Sequence, residues 1–309
     1  MDKLDVAVVR ELLQGSPNSP TRPEVRLSFR AVARRLQVSE GTVRARAKKL
    51  VDSGFIRGWA VHLNPNLLGL RERAVMVDVI GGSKRAAVEK LLLIEGTVLL
   101  VNYHGTGVGM IFFYKDEKSL RRKLDLIAMV AGGAVHSSGD IPYPSCDLRL
   151  SLVDWKILAS LQKRPGGSYA EIAKELGLSA RTVKRRMTRM TKGSAAFILV
   201  SGDEAKLTGT VRCDLHVKWG DPRLRPEAEA ALLRLLQDFN FFSGLWTTFS
   251  VFNLFVPNVQ STNDLLRKAS ALKGVDGARI EFLQERHEAY DVLSDQIDEK
   301  VAELEKERA

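Results

Sequence analysis

The 309 residues carry a formal net charge of +10, with 45% apolar and 27% charged side chains. That length and composition describe a globular chain of two or more domains, and the basic surplus points to a polyanionic partner. No run approaches the roughly 18 apolar residues of a membrane span, Met1-Asp2-Lys3-Leu4-Asp5 lacks a signal-peptide layout, and the distant Cys146 and Cys213 suggest neither a disulfide framework nor a zinc site.

In chain order, Asp5-x-x-Val8-Val9-x-x-Leu12 has helical spacing and precedes a breaker-rich loop, Gly15 to Pro23. Phe29, Val32, Ala33 and Leu36 then recur at helical spacing before the turn Val38-Ser39. Ser39 is placed to cap a second helix, Glu40 to Val51, by accepting a bond from the amide of Thr42. That helix should bury Val43, Ala47 and Leu50 and present Arg44, Arg46, Lys48 and Lys49. A short helix, a turn and a basic helix make a helix-turn-helix, whose second helix enters the major groove. Gly54 suits a left-handed cap, and Phe55 to Leu63 reads as a wing of two short strands around Arg57-Gly58.

Downstream, strand Ala74–Ile80, helix Ser83–Leu93, strands Val98–Tyr103 and Val108–Tyr114, helix Glu117–Val130 and strand Ala134–Ile141 give the order βαββαβ. That order describes a ferredoxin-like fold. The Gly105-Thr106-Gly107 hairpin reads either as a plain tight turn or as the lip of an effector pocket. Tyr103, His104, Gly105 and Gly107 are its candidate binding residues.

The whole series occurs twice. Ser28 to Gly69 echoes Ser168 to Gly209 without a gap at an offset of 140, and Asp5 to Leu12 matches Asp154 to Leu161 at an offset of 149. In the second copy Ser179 caps a helix that shows Arg181, Lys184, Arg185 and Arg189, with Thr182 at the position of Thr42. Its wing, from Ala195 to Asp203, is less basic. The second βαββαβ series is Val211–Trp219, Pro226–Phe239, Gly244–Thr248, Val251–Val256, Thr262–Leu272 and Ala278–Glu285. The fold class is therefore α+β: winged helix-turn-helix domains at 1–70 and 146–209, ferredoxin-like domains at 71–145 and 210–288, and a C-terminal helix within 289–309. The tail's narrow apolar stripe, Ile297, Val301 and Leu304, suits either packing on a partner copy or fraying. The linker Ile141-Pro142-Tyr143-Pro144-Ser145 is short and stiff, so the two sheets should pair within one chain.

Residues 1–70 carry +6 and residues 148–209 carry +7, leaving the remainder of the chain at −3. The surplus sits in the two heads, where phosphate contacts are needed. The pattern Leu4-Asp5…Leu12, then Ala33-x-x-Leu36-x-Val38-Ser39-x-x-Thr42-Val43-x-x-Arg46-x-x-x-Leu50-x-x-x-Gly54-x-Ile56-Arg57-Gly58, resembles the Lrp/AsnC family of transcription regulators. The resemblance implies effector-binding, dimerising ferredoxin-like domains, although family members usually hold one such unit per chain.

The expected function is a cytoplasmic, sequence-specific regulator that binds double-stranded DNA, with no catalytic residue, cofactor, metal or membrane partner. A small effector and homo-oligomerisation through the ferredoxin-like domains or the tail accompany that reading. The DNA-binding candidates are Ser39, Thr42, Arg44, Arg46, Lys48, Lys49, Arg57, Ser179, Arg181, Thr182, Lys184, Arg185 and Arg189. The first head, with the basic wing residue Arg57, should dominate. Arg46 and Arg186, next to buried positions, should touch only backbone phosphate. Two rivals remain. One is a non-specific architectural DNA binder. The other is an enzyme similar to siroheme decarboxylases, which Ser250-Val251-Phe252-Asn253-Leu254-Phe255 loosely resembles. The five histidines, His62, His104, His136, His216 and His287, show no ligand spacing, and Trp246, Phe249 and Phe252 read as sheet core.

Overall fold

A computed structural model describes residues 1–12, 29–164, 167–206, 209–289 and 291–307; the breaker-rich loop and Arg308 lie outside the described residues. The first head consists of α1 (Lys3–Leu12), α2 (Phe29–Leu36), α3 (Glu40–Asp52) and β1 (Ile56–Leu63). The first ferredoxin-like half is β2 (Arg71–Asp78), α4 (Lys84–Leu92), β3 (Thr97–Tyr103), β4 (Gly107–Tyr114), α5 (Glu117–Ala131) and β5 (Val135–Asp140). The second head is α6 (Leu152–Lys163), α7 (Tyr169–Glu175), α8 (Ala180–Lys192) and β6 (Ala196–Gly202). The second half is β7 (Val211–Trp219), α9 (Arg225–Leu235), β8 (Asn240–Leu245), β9 (Phe249–Val256), α10 (Val259–Ser270) and β10 (Val275–Glu288), followed by α11 (Ser294–Lys306). Strand β8 begins four residues before the expected Gly244, because the chain leaves α9 at Leu235 rather than at Phe239.

The repeat extends to the backbone. The turn between α2 and α3 needs a left-handed residue, which is Gln37 (φ 55°) in the first head and Gly177 (φ 64°) in the second. After the recognition helices the assignment reverses, with Gly54 (φ 77°) in the first head and Ser194 (φ 57°) in the second. Glycine takes this conformation without Cβ strain, whereas other residues pay about 1–2 kcal/mol.

The eight ferredoxin-like strands form one continuous antiparallel sheet, β5-β2-β4-β3-β10-β7-β9-β8. The 14-residue β10 makes the join: its first part pairs with β7 and its last part, Leu283 to Glu288, pairs with β3. Each half covers one sheet face with its own helices, around Val75, Val77 and Leu100 or around Leu215, Val217 and Phe252. The alternate residues Ala74, Met76, Val101 and Tyr103 face Trp246, Phe249 and Val251 across a shared core. The two halves of the sheet thus pack face to face within one chain. Thr247 and Thr248 close the far edge through bonds to Asp140 and Ser138.

The wings differ from the expectation. Neither folds back as a hairpin. Each is a single strand, and β1 pairs antiparallel with β6, with Trp59 opposite Val200 and Leu63 opposite Ala196. A bulge between Ile56 and Gly58 absorbs the register shift. The heads are also exchanged. The first head's core takes in Phe241 and Phe255 of the second half, and the second head's core takes in Leu63 and Phe113 from the first unit. The linker is pinned where it passes: Asn64, fully buried, donates to the carbonyls of Pro144 and Ser194, and Tyr143 bonds to His62 and Glu72. The tail does not fray. Ile297 is buried against the second head, and Lys163 and Lys156 pair with Asp298 and Glu305.

In each head one buried aspartate holds the recognition helix against the first helix. Asp5, 1% exposed, accepts from Arg46 at 2.8 Å and lies 3.5 Å from Lys49. Asp154, fully buried, accepts from Arg186 at 3.0 Å and Arg189 at 2.5 Å, and also caps α6 through Ser151. Burial opposes ionisation of Asp154. The bonds from Ser151 and Arg186 and the charge of Arg189 outweigh it and hold the carboxyl below its usual range.

Gln37→Gly and Ser194→Gly should each stabilise their head by about 0.5–1 kcal/mol, the relieved strain less the entropic cost of glycine, whereas Gly177→Ala should cost about 1 kcal/mol. Thermal unfolding of the full chain checks the signs. Asp154→Ala should cost about 3 kcal/mol by stranding Arg186 and Arg189. Because the folded carboxyl titrates below the unfolded value of about 3.9, its contribution is complete above that pH and drains away as pH falls through the folded value. The stability gap to Asp154→Asn should therefore shrink below about pH 4, and a gap that ignores pH would show that the charge is irrelevant.

Candidate nucleic-acid interface

The two recognition helices begin alike. Ser39 accepts from the amide of Thr42 at 3.0 Å and Ser179 from that of Thr182 at 3.1 Å, and in each pair the hydroxyls also meet. These serines and threonines thus fix the helix N-termini, the ends that approach base edges in a helix-turn-helix. Inward, Val43, Ala47 and Leu50 are buried in α3, as are Val183, Met187 and Met190 in α8.

The cations divide into two sets. Arg46, Lys49 and Arg189, expected at DNA, are held by Asp5 and Asp154 instead, as is Arg186. Their spacing puts them on the side of the helix that faces α1 or α6, where a buried carboxylate is the nearer anion. The second set faces outward. In α3 Arg44 pairs with Glu40 at 2.9 Å and lies over the Phe29 ring, and Lys48 pairs with Asp52 at 2.6 Å. In α8 Arg181, Lys184 and Arg185 are exposed, with no carboxylate within ion-pair reach among the described residues. Helix α3 contains two acids and α8 contains none.

Arg57 was expected to grip phosphate from the wing. It pairs instead with Asp203, which follows the opposing strand β6. Asp203 also donates its amide to the carbonyl of Phe55 at 2.7 Å. The ground for ranking the first head above the second is thereby removed. The field of the second recognition helix is the more positive.

The hairpin residues separate. His104 and Gly105 are exposed, and Lys84 braces the turn through the carbonyls of Tyr103 and Gly105. Gly107 is buried against Glu281, which would meet an added Cβ at 3.2 Å. Tyr103 points the other way, into the shared core, where its hydroxyl donates to Asp214 at 2.7 Å. Asp214 also binds Arg212 at 2.5 Å and Asn253 at 2.5 Å, and Arg212 and Arg286 both reach Glu204. Burial opposes the Asp214 charge, but Arg212 and His216 outweigh it and hold the carboxyl down. Burial pushes the His216 imidazole down to about 4. Sequence reading passed over this polar cluster. Its signal is the alternation Arg212-x-Asp214-x-His216, three polar residues on one face of β7.

Among the described residues, no three or more His, Cys, Asp or Glu are grouped to hold a metal, and no helix is long and apolar enough to cross a membrane. Comparisons with known proteins agree on the heads. A model of the AsnC-type helix-turn-helix domain matches residues 1–51, and one of winged helix-turn-helix DNA-binding domains matches residues 150–193. The HTH-type transcriptional regulator Ptr1 of Methanocaldococcus jannaschii is 34% identical over 128 residues, which span 40% of this chain and 79% of that one. An uncharacterized HTH-type transcriptional regulator of Pyrococcus abyssi is 28% identical over 135 residues, 43% of this chain and 85% of the other. Over the full length, the crystal structure of the siroheme decarboxylase NirDL with an iron-uroporphyrin III analogue superposes with a TM-score of 0.53, covering 97% of this chain and 99% of that one at 14% identity. That likeness is one of fold. The relatives match less than half of this chain because it carries the unit twice. The chain belongs to the Lrp/AsnC family of helix-turn-helix transcriptional regulators, with two units fused in tandem.

Proposed function

We propose that this chain binds one bipartite double-stranded DNA site through its two unlike heads and regulates transcription from it in the cytoplasm. The observation that carries this reading is the exposed, uncompensated row Arg181, Lys184 and Arg185 on α8. Arg44 and Lys48 supply the weaker field of the first head, because Glu40 and Asp52 stand beside them. A small effector and self-association through the ferredoxin-like domains belong to the same reading. The chain catalyses no reaction in this account. The cavity between its sheets, about 70 Å³, is far smaller than a tetrapyrrole, which argues against a decarboxylase role for that interior. A site-specific regulator, unlike an architectural binder, should prefer its operator over random duplex by at least about 1000-fold.

Binding should be steeply salt-dependent, with a log–log slope beyond about −5, since each neutralised phosphate contributes about −0.9. Replacing Arg181, Lys184 and Arg185 together by alanine should flatten that slope by about 2.7. Titrations by fluorescence anisotropy at several salt concentrations check both values, and a flat dependence would contradict the electrostatic account. In the same assay the α8 triple variant should lose more affinity than Arg44→Ala with Lys48→Ala. The opposite ranking would return the dominant role to the first head.

A further inference from the structure

We propose that the two heads divide the work on DNA: the first clamps the phosphodiester backbone through Arg30 and Arg34 of α2, independent of sequence, and the second reads bases through α8. The inference rests on the DNA reading above and assigns to α2 a contact that neither recognition helix supplies.

Every cation of α3 already has a carboxylate beside it. Arg44 pairs with Glu40 at 2.9 Å, Arg46 with Asp5 at 2.8 Å and Lys48 with Asp52 at 2.6 Å, and Lys49 lies 3.5 Å from Asp5. The unmatched charge of the first head lies one helix earlier. Helix α2 holds three arginines and no acid. Arg35 is on the flank that faces α1, 3.3 Å from Glu11. Arg30 and Arg34, one helical turn apart, share the other flank. Both are exposed, and neither has a carboxylate within ion-pair reach among the described residues. Arg44 lies over the Phe29 ring at 5.4 Å, which sets the start of α2 beside the first turns of α3. That is the end of the motif that approaches DNA, and the helix before the recognition helix crosses the backbone there.

The second head has the reverse arrangement. Helix α7 carries two acids and one lysine. Ala170 stands in the place of Arg30, and Glu175 in that of Arg35. Glu171, in the place of Ala31, accepts from the Ser168 amide at 2.7 Å, which fixes a carboxylate at the start of α7. An anion there repels phosphate. The free cations of this head, Arg181, Lys184 and Arg185, lie on the recognition helix itself. An arginine on such a helix can pair with both acceptors of a guanine edge, whereas one on a crossing helix meets phosphate, which carries no sequence information. The first head therefore adds affinity without discrimination, and the second adds both. The operator should have one half-site fixed in sequence and one nearly free.

Anisotropy titrations of the full chain, on an operator selected from random duplex and on an unrelated duplex of equal length, test the division. Arg30→Ala with Arg34→Ala should flatten the log–log salt slope by about 1.8 and weaken binding about tenfold or more on both duplexes. The ratio between the two affinities should stay within about twofold of the wild type. Arg181→Ala should lower that ratio about fivefold or more. The circular dichroism of all variants should match the wild type, since the three arginines are exposed. Footprints of the two variants assign each half-site to its head. Single base-pair substitutions should then cost about fivefold or more under the second head and less than about twofold under the first. An unchanged slope in the double variant would overturn the clamp, as would a loss confined to the operator or an equal sensitivity of both half-sites to substitution. The DNA reading survives those results, because the wild type still binds. It fails, and the clamp with it, if the wild type shows no salt-dependent binding to either duplex.

Discussion

Strand β1 leaves the first head, strand β6 leaves the second, and each is the other's ladder partner. An isolated two-stranded ribbon is marginal in water, so this one depends on what lies beside it. Ile56, Ala60 and Leu63 on one strand and Ala196, Phe197 and Ile198 on the other are buried, and Ile56, Leu63 and Ala196 sit in cores to which both units contribute. The exchange of heads follows from the pairing. Once β1 and β6 cross, the first head rests on Phe241 and Phe255 of the second half, while the second head closes over Phe113 of the first. Neither head has a complete core without the other unit.

That constraint gives a single chain the geometry of a symmetric dimer without its symmetry. Joining the units removes the translational cost of association, so the arrangement does not depend on concentration. It also frees the two copies to differ. One recognition helix has two acids and the other has none; the last strand of the second half, β10, runs 14 residues and joins the two halves of the sheet, while its counterpart β5 stops after six. The polar cluster at Arg212, Asp214 and His216 belongs to the second unit alone. The full-length superposition on a siroheme decarboxylase shows that this architecture can carry other chemistry, since a fold does not fix a function.

Much of this was legible in the sequence because it is local. The gapless offset of 140, the caps Ser39 and Ser179 and the order of strands and helices need only neighbouring residues. The wing was misread because a strand's sequence does not name its partner, and Arg57-Gly58 marks a bulge rather than a turn. The pairing of Arg46, Lys49 and Arg189 with buried aspartates was not read because a cation on a recognition helix looks the same whether it meets phosphate or a buried carboxylate. The clue was present all the same: Asp5 recurs as Asp154, Arg46 as Arg186 and Lys49 as Arg189, so the acid and its two cations repeat as a set. The polar face of β7 was passed over because nothing local reveals that the other half of the sheet covers it.

The central claim is that one chain presents two different reading heads to one DNA site. Hydroxyl-radical footprinting of a selected operator, with the protein's mass followed by light scattering, tests it most directly. The account predicts two unlike protected half-sites, about one helical turn or a multiple apart, occupied by one chain. A perfect palindrome that requires two chains, each contributing only its α3, would contradict it.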